Sequence, residues 1–271
     1  MSTTDVRLPP LSRVVRARAV VETKEFVRNR EALIFTFLLP VMLLLIFGSV
    51  FNTDITSGVT FSQYFLAGMI ASGLVYTGFQ NLAISIPQER DDGTLKRLAG
   101  TPLPPAAYFV GKVVLVFVSL VAQVLLLLLI GVLLFGVKLP DTAAKWATFV
   151  GLLLVGLFCC TLLGIAFSSL PKNGRSAPAL VSPVVLVLQF ISGVFFVYAN
   201  LPHWMQQIAA LFPLKWLCQG MRSVFLPDSF QIKEPAAHWE LGKVWLVLFA
   251  WTVAAAVLCV TTFRWQRRGD R

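Results

Sequence analysis

The stretch from Val114 to Phe135 reads VLVFVSLVAQVLLLLLIGVLLF and contains no charged residue. A helix needs roughly 20 mostly apolar residues to cross about 30 Å of hydrocarbon, because every backbone polar group in lipid must be hydrogen-bonded within the segment. This stretch meets that requirement. It therefore predicts a membrane-spanning helix and makes the bilayer the expected solvent for its neighbours.

The rest of the chain follows the same pattern. Of its 271 residues, 57% are hydrophobic and only 13% are charged, and the mean hydropathy is +0.77. So much apolar surface does not fit one water-soluble core. The sequence predicts an all-α integral membrane protein with six spans, and no internal repeat divides it. The predicted spans are Ala32–Phe51, Gln63–Ile86, Ala106–Val137, Trp146–Leu170, Ala179–Tyr198 and Val244–Phe263.

The positions of Lys and Arg give the predicted orientation. If the N-terminus is cytoplasmic, most of the 23 basic residues fall on the cytoplasmic side, in accord with the positive-inside rule. Both termini are then cytoplasmic in a bacterial plasma (inner) membrane. The net charge of +10 is explained by flanks that attract anionic lipid, without nucleic acid as a partner. The basic residues left outside are Lys138, Lys145, Lys215, Arg222, Lys233 and Lys243.

Two segments outside the spans have their own patterns. Residues Ser12 to Glu31 alternate basic and apolar residues and predict a helix on the cytoplasmic face, bent or only partly immersed; a purely topogenic flank is the alternative. The outer segment 199–242 is rich in apolar residues. It predicts two short re-entrant or interfacial helices broken at Pro213, with an amphipathic surface loop as the alternative.

The sequence lacks the groups that most enzymes and proton-driven carriers use. By these boundaries no Asp, Glu, His or Arg lies inside a span, and Lys112 is expected to reach from an interfacial helix end to the headgroups. No metal-ligand spacing, nucleophile elbow or phosphate-binding glycine loop is present. We therefore predict no catalytic residue, no metal and no cofactor bound by this chain. The four cysteines, Cys159, Cys160, Cys218 and Cys259, are predicted to be small apolar fillers.

Polar and aromatic residues within the spans are candidates for a transport pathway. Tyr76, Gln80 and, one position off, Asn81 share a helical stripe. Buried amides and hydroxyls most often join helices to each other; the alternative is a weakly polar surface along which an amphiphile moves. The candidate pathway residues are Tyr76, Gln80, Asn81, Gln123, Gln189, Phe190 and Ser192.

A charged loop, PQERDDGTLKRLAGTP at residues 87–102, lies between the second and third spans. It carries three charges of each sign, which simple retention on one side of the membrane does not need. Thr94 to Leu98 can form a short helix that begins after Asp92 or Gly93 and ends before Pro102 and Pro104. The pattern is that of a docking element on the cytoplasmic face.

These residues resemble a known family. Glu89-Arg90-Asp91-Asp92-Gly93-Thr94-Leu95-Lys96-Arg97-Leu98, followed by Thr101-Pro102 and Gly111-Lys112, is similar to the signature of type-2 ATP-binding-cassette (ABC) exporter permeases, especially the daunorubicin-resistance and multidrug group. Arg28-Asn29-Arg30-Glu31 and Leu39-Pro40 resemble the family's entry to its first span. Leu201-Pro202, Phe212-Pro213-Leu214 and Gly220-Met221-Arg222 resemble its outer segment.

The resemblance implies a permease with six spans that pairs with a second copy or a close paralogue. It also implies two separate cytoplasmic ATPase subunits, which hold ATP and Mg, and re-entrant outer helices that gate the exit. Asp91, Asp92 and Lys96 depart from the commonest residues of the pattern. The implied coupling residues are Glu89, Arg90, Gly93, Thr94, Lys96 and Arg97 with Glu22 and Glu25 in the connecting helix, and the candidate outer gate is Phe195, Phe196, Trp204, Phe212 and Pro213.

The predicted organisation is one membrane domain over residues 1–271. It comprises a cytoplasmic tail and interfacial helix (1–31), a six-span bundle (32–263) with a coupling loop (87–105) and the outer segment (199–242), and a cytoplasmic tail (264–271). The expected function is ATP-driven export of a lipophilic or amphiphilic substrate such as a drug, a lipid or a lipid-linked natural product. A secondary carrier or channel is the main alternative; a lipid-modifying membrane enzyme and a structural anchor are weaker ones.

Overall fold

Apolar runs separated by turn residues form helices along most of the chain. The computed structural model describes residues 10–51, 54–56, 58–101 and 104–263; the predicted tail 264–271, the first nine residues and Pro102 lie outside this part. The α-helices are α1 (Leu11–Arg28), α2 (Arg30–Val50), α3 (Phe61–Leu74), α4 (Asn81–Asp91), α5 (Thr94–Ala99), α6 (Pro105–Phe135), α7 (Ala143–Phe167), α8 (Ala177–Ile191), α9 (His203–Ala210), α10 (Pro213–Phe225) and α11 (Leu241–Thr262).

The all-α membrane fold is confirmed. In the described ranges the strands are a two-stranded antiparallel hairpin, β1 (Asp54–Thr56) and β2 (Val59–Thr60), and short 3-10 turns cover Tyr198–Asn200 and Asp228–Lys233. Four helices there are long and apolar enough to cross a membrane: Phe61–Asp91, Pro105–Phe135, Ala143–Phe167 and Leu241–Thr262. The apolar parts of the first and fifth predicted spans, Thr36–Val50 and Ala177–Ile191, are shorter.

Two predicted boundaries were wrong by more than a turn. The second span was expected to end at Ile86, but its helix continues to Asp91, so the first part of the predicted coupling loop is helical. The fifth was expected to continue to Tyr198, but α8 ends at Ile191 because Gly193 turns the chain with a φ of 77°. A Cβ at Gly193 would lie 2.7 Å from the Tyr198 Cβ, so both the backbone conformation and the packing favour glycine there.

The helix from Phe61 to Asp91 is interrupted by one π-helical segment, Val75–Gln80. The segment packs against α7 at a crossing of two glycines. A Cβ on Gly164 would lie 2.7 Å from the backbone oxygen of Gly78 and 2.8 Å from that of Phe79. Such small residues let two helix backbones approach closely, so the π segment and α7 are held in direct backbone contact.

The outer segment contains the two predicted short helices, α9 and α10, separated at Leu211 and Phe212. Every residue of α10 is buried, and the helix packs against α3, α7 and α11. A surface loop is therefore the wrong description for α10. Helix α9 is more exposed, with Trp204 58% and Ile208 43% accessible.

The close crossing gives a stability prediction. We expect Gly164→Ala to lower the free energy of unfolding by about 1–3 kcal/mol, because the added methyl meets backbone atoms that no side-chain rotation can move. Thermal unfolding of the detergent-solubilised chain measures the effect. Gly242→Ala is the matched control, since a Cβ there meets nothing within 4 Å; equal stability of the two variants would contradict the close crossing.

Candidate functional site

A polar cleft of about 760 Å³ lies between α1, α2, α4, α6 and α8. Apolar lining residues from four helices, Phe26, Leu39, Ile84 and Leu115, are interspersed with the polar ones. The other lining groups are amides, hydroxyls and charged side chains, and the charged ones lie at the end where α1 packs. We call the side formed by Tyr76, Gln80, Asn81 and Ser85 the polar wall. The polar lining residues include Tyr76, Gln80, Asn81, Ser85, Gln88, Glu22, Glu25, Glu89, Asp92 and Lys112.

The π segment shapes the polar wall of this cleft. The Asn81 backbone N–H donates to the Tyr76 carbonyl, five residues earlier. This wider turn brings Asn81 into line with Tyr76, whereas an uninterrupted α-helix would put it one position off the stripe. Periodicity predicted the stripe, but the π turn that completes it has no separate signature in the sequence.

Several polar atoms on this wall have no hydrogen-bond partner among the described residues. They are Gln80 Oε1, Asn81 Nδ2 and Ser85 Oγ. Tyr76 differs, because its hydroxyl donates to Gln189 Oε1 on α8 at 3.1 Å. Buried polar groups are normally hydrogen-bonded, and Gln123 and Ser192, away from the cleft, also have side-chain atoms without a partner among the described residues.

The structure brings together only part of the predicted pathway. Tyr76, Gln80 and Asn81 line the cleft, and Gln189 reaches it through its hydrogen bond to Tyr76. The other three predicted residues lie elsewhere. Gln123 is buried against Gly73, Ser192 is fully buried, and Phe190 is 43% exposed and packs against Phe195 with ring centroids 4.9 Å apart.

Charged groups from three helices meet at one side of the cleft. Lys112 Nζ on α6 donates to Glu22 Oε2 on α1 at 2.8 Å and also to Glu89 on α4. Arg18 pairs with Glu22, and the Tyr108 hydroxyl donates to Glu89 Oε2 at 2.9 Å. Two cations and two carboxylates thus compensate each other. We call Arg18, Glu22, Glu89, Tyr108 and Lys112 the ion-pair cluster.

The ion-pair cluster corrects one expectation. Lys112 was predicted to extend to the headgroups, but its side chain is 1% exposed because Glu22, itself 2% exposed, and Glu89 neutralise it inside the protein. The cleft also contains four carboxylates at the end where α1 packs, those of Glu22, Glu25, Glu89 and Asp92, all from outside the predicted spans. In sequence, Lys112 is 90 residues from Glu22 and 23 residues from Glu89. The mean hydropathy of the spans could not predict that these residues pair.

The predicted coupling residues divide into inner and outer groups. Glu89 belongs to the ion-pair cluster, and Arg90 Nη1 donates to the Ser168 carbonyl at 3.2 Å. Glu25 is exposed at the cleft. Beyond Gly93, α5 buries Leu95 completely and exposes Lys96 and Arg97.

Arg97 Nη2 lies 3.4 Å from Thr94 Oγ1 and donates to the Asp92 carbonyl at 3.3 Å. The loop before α8 also contacts the end of α4, because the Gly174 N–H donates to Asp91 Oδ2 at 2.6 Å. Helix α5 is therefore a small exposed projection on a well-connected base. The predicted contacts of these residues with an ATPase stay predictions.

The predicted outer-gate residues do not form one cluster. Phe195 is buried among Phe47, Phe65 and Phe190, while Phe196 and Trp204 are more than half exposed. Phe212 precedes Pro213, which begins α10. Their role as a gate stays a prediction.

An ion pair that sequence reasoning missed lies at the α10 end. Arg222 Nε and Nη2 donate to the two carboxylate oxygens of Glu234, at 2.6 and 3.1 Å, and both side chains are almost completely buried. The Tyr64 and Tyr198 rings lie 5.2 and 6.0 Å from the guanidinium carbon. Burial disfavours the charged form, but Glu234 outweighs it and raises the pKa of Arg222 above its ordinary value. The available signal was that Arg222 and Lys215 are charged residues on a short helix rich in apolar side chains.

A helical bundle with membrane-length apolar helices and a cleft lined by polar and apolar side chains has the features of a membrane permease. Comparison with known proteins agrees. The family model for ABC-2 type transporters matches residues 15–226, and the chain belongs to that family.

Individual relatives share low sequence identity with this chain and are named as transport permeases. The chain is 22% identical to the transport permease YvfS of Bacillus subtilis over 74% of this chain and 80% of the relative. It is 25% identical to the multidrug ABC transporter permease YbhR of Escherichia coli over 54% of this chain and 39% of YbhR. The permease ycf38 of Porphyra purpurea is 24% identical over 80% of this chain and 75% of the relative. Membership of the daunorubicin-resistance group stays a prediction.

The ion-pair cluster predicts a large cost for removing its lysine. We expect Lys112→Met to lower the free energy of unfolding by about 3 kcal/mol, because it removes the cation shared by the buried Glu22 and the partly buried Glu89. Thermal unfolding in detergent measures this, and a Lys112→Met, Glu89→Gln variant, which keeps the Arg18–Glu22 pair, should recover most of the loss. Lys145→Met is the control, since its pair with the exposed Asp141 is screened by water and contributes little to stability. Equal losses in the two lysine variants would show that the cluster is not stabilising.

Proposed function

We propose that this chain is the membrane subunit of an ATP-driven exporter, in which two permease chains work with two separate cytoplasmic ATPase subunits that bind ATP and Mg. One observation carries the proposal. Lys112 joins α1, α4 and α6 through a buried ion-pair cluster, and α4 leads directly into the exposed projection α5. Family membership supports the ATPase partnership.

In this proposal the ATPase pushes on α5, and the ion-pair cluster passes the displacement to the cleft. Lys96 and Arg97 are exposed and available to a partner, whereas Glu89 is engaged within the chain. Because α4 both carries α5 and lines the cleft, movement of one changes the other. Docking and transmission are thus assigned to different residues. The orientation follows from the basic residues: α5 and both termini face the cytoplasm of a bacterial plasma membrane.

The cleft supports an amphiphilic cargo. Its lining mixes apolar side chains, among them Phe26, Leu39 and Leu115, with amides, hydroxyls and charged groups. A molecule with an apolar body and a few hydrogen-bonding groups matches this mixed lining. The carboxylates at the α1 end lie at the proposed cytoplasmic entrance.

The division between docking and transmission is testable with two variants. Lys96→Glu, Arg97→Glu should weaken co-purification with the cognate ATPase roughly tenfold or more, a loss of at least about 1.4 kcal/mol in binding. Lys112→Met, Glu89→Gln, which keeps the Arg18–Glu22 pair, should keep the ATPase bound but uncouple its hydrolysis from cargo. Association measured by pull-down, with cargo-stimulated ATPase activity in reconstituted vesicles, separates the two effects.

The control for charge reversal is Lys138→Glu, Lys233→Glu, which changes two exposed lysines on the other side of the bundle. If the α5 variant assembles and couples like this control, α5 is not the docking element. Transport by the chain alone, without nucleotide, would instead support a secondary carrier.

The cargo assignment gives a separate prediction. We expect Gln80→Leu to change the apparent affinity for amphiphilic cargo several-fold, since one good hydrogen bond contributes about 0.5–1.5 kcal/mol. Cargo-stimulated ATPase activity across a series of amphiphiles measures it. Gln123→Leu is the matched control, because this amide is buried outside the cleft. Stimulation only by hydrophilic, highly charged solutes would contradict an amphiphilic cargo.

A further inference from the structure

Helix α1 separates its charges between two faces. Arg13, Arg16, Val20, Lys24 and Val27 follow one another at spacings of three, four, four and three, which places them on one side of a helix. All five are exposed, Val20 by 44% and Val27 by 56%. We call these five residues the basic stripe. At 1.5 Å per residue it extends over roughly 21 Å.

The other side of α1 belongs to the protein. Glu22 and Phe26 are buried there, Arg18 is paired with Glu22, and Glu25 lines the cleft. Both carboxylates of α1 therefore point away from the basic stripe. The stripe combines three cations with two valines and contains no acid, so its charge and its apolar surface are both left for an external partner.

The position of α1 favours a membrane surface as that partner. Only Asn29 separates α1 from α2, whose apolar part begins at Thr36. This short connection keeps the basic stripe close to the level at which a hydrophobic helix enters the bilayer. Near a membrane surface, long basic side chains extend to the anionic headgroups while apolar neighbours and aliphatic stems stay against the hydrocarbon boundary.

We propose that the basic stripe binds the headgroups of anionic phospholipids, with Val20 and Val27 directed towards the acyl chains. Arg13, Arg16 and Lys24 pair with lipid phosphates. Since Glu22 on the opposite face is held by Lys112, lipid binding also fixes the orientation in which α1 enters the ion-pair cluster. This last consequence rests on the proposed function; the lipid site itself does not.

The experiment uses hydrogen–deuterium exchange of the full chain, without ATPase, in nanodiscs. Discs of phosphatidylcholine alone are compared with discs containing about 30% phosphatidylglycerol. We expect backbone amides of residues 12–28 to exchange about fivefold more slowly in anionic discs, and the difference to shrink at 0.5 M salt, as electrostatic attraction to anionic headgroups requires. An Arg13→Gln, Arg16→Gln, Lys24→Gln variant should lose the difference.

The control is Lys138→Gln, Lys233→Gln, Lys243→Gln, which removes three exposed charges elsewhere and should keep the difference. Equal exchange in the two kinds of disc, or equal loss in the two variants, would overturn the proposal. Protection of residues 12–28 that appears only when the ATPase is added, in discs of either composition, would identify a protein-docking surface instead. Because the first comparison needs no ATPase, it can succeed even if the exporter proposal fails.

Discussion

At the end of the bundle where α1 packs, the fold depends on the buried Lys112, which lies between two carboxylates. Transferring a charged group out of water costs several kcal/mol, and only close partners of opposite charge offset that cost. Lys112 therefore requires Glu22 and Glu89, and Arg18 makes the group neutral. The three helices that carry these side chains cannot separate without exposing or isolating a charge. The ion-pair cluster thus links α1, α4 and α6 in addition to their packing contacts.

A second buried ion pair fixes the other end of the bundle. Arg222 and Glu234 lie beside Tyr64, near the start of the helix that ends with Glu89 and Asp91. The 25 residues from Tyr64 to Glu89 correspond to roughly 38 Å of helix. Between these two charged ends the helix has amides and hydroxyls but no charged side chain. Its middle is therefore the part with the weakest electrostatic restraint.

How far the sequence could predict the structure depends on the range of each interaction. Apolar runs and proline or glycine breaks are local signals, and they located the helices, the short α5 and the division before Pro213. The pairing of Lys112 with Glu22, and of Arg222 with Glu234, depends on which segments become neighbours in the fold. Hydropathy does not predict which segments are neighbours. The early end of α8 depends on Gly193, which in sequence resembles any glycine in an apolar segment.

The π segment connects these observations. It lies in the middle of the helix, at the point where partnerless amides face the cleft, and it replaces the regular hydrogen-bond ladder with a wider turn. The ion pairs lie towards the two ends of this helix, and the irregular turn lies between them. Because Gly78 contacts α7 backbone to backbone, the turn that aligns Asn81 with Tyr76 is also the place where this helix packs directly on α7. The polar wall of the cleft and α7 are therefore parts of one packed unit.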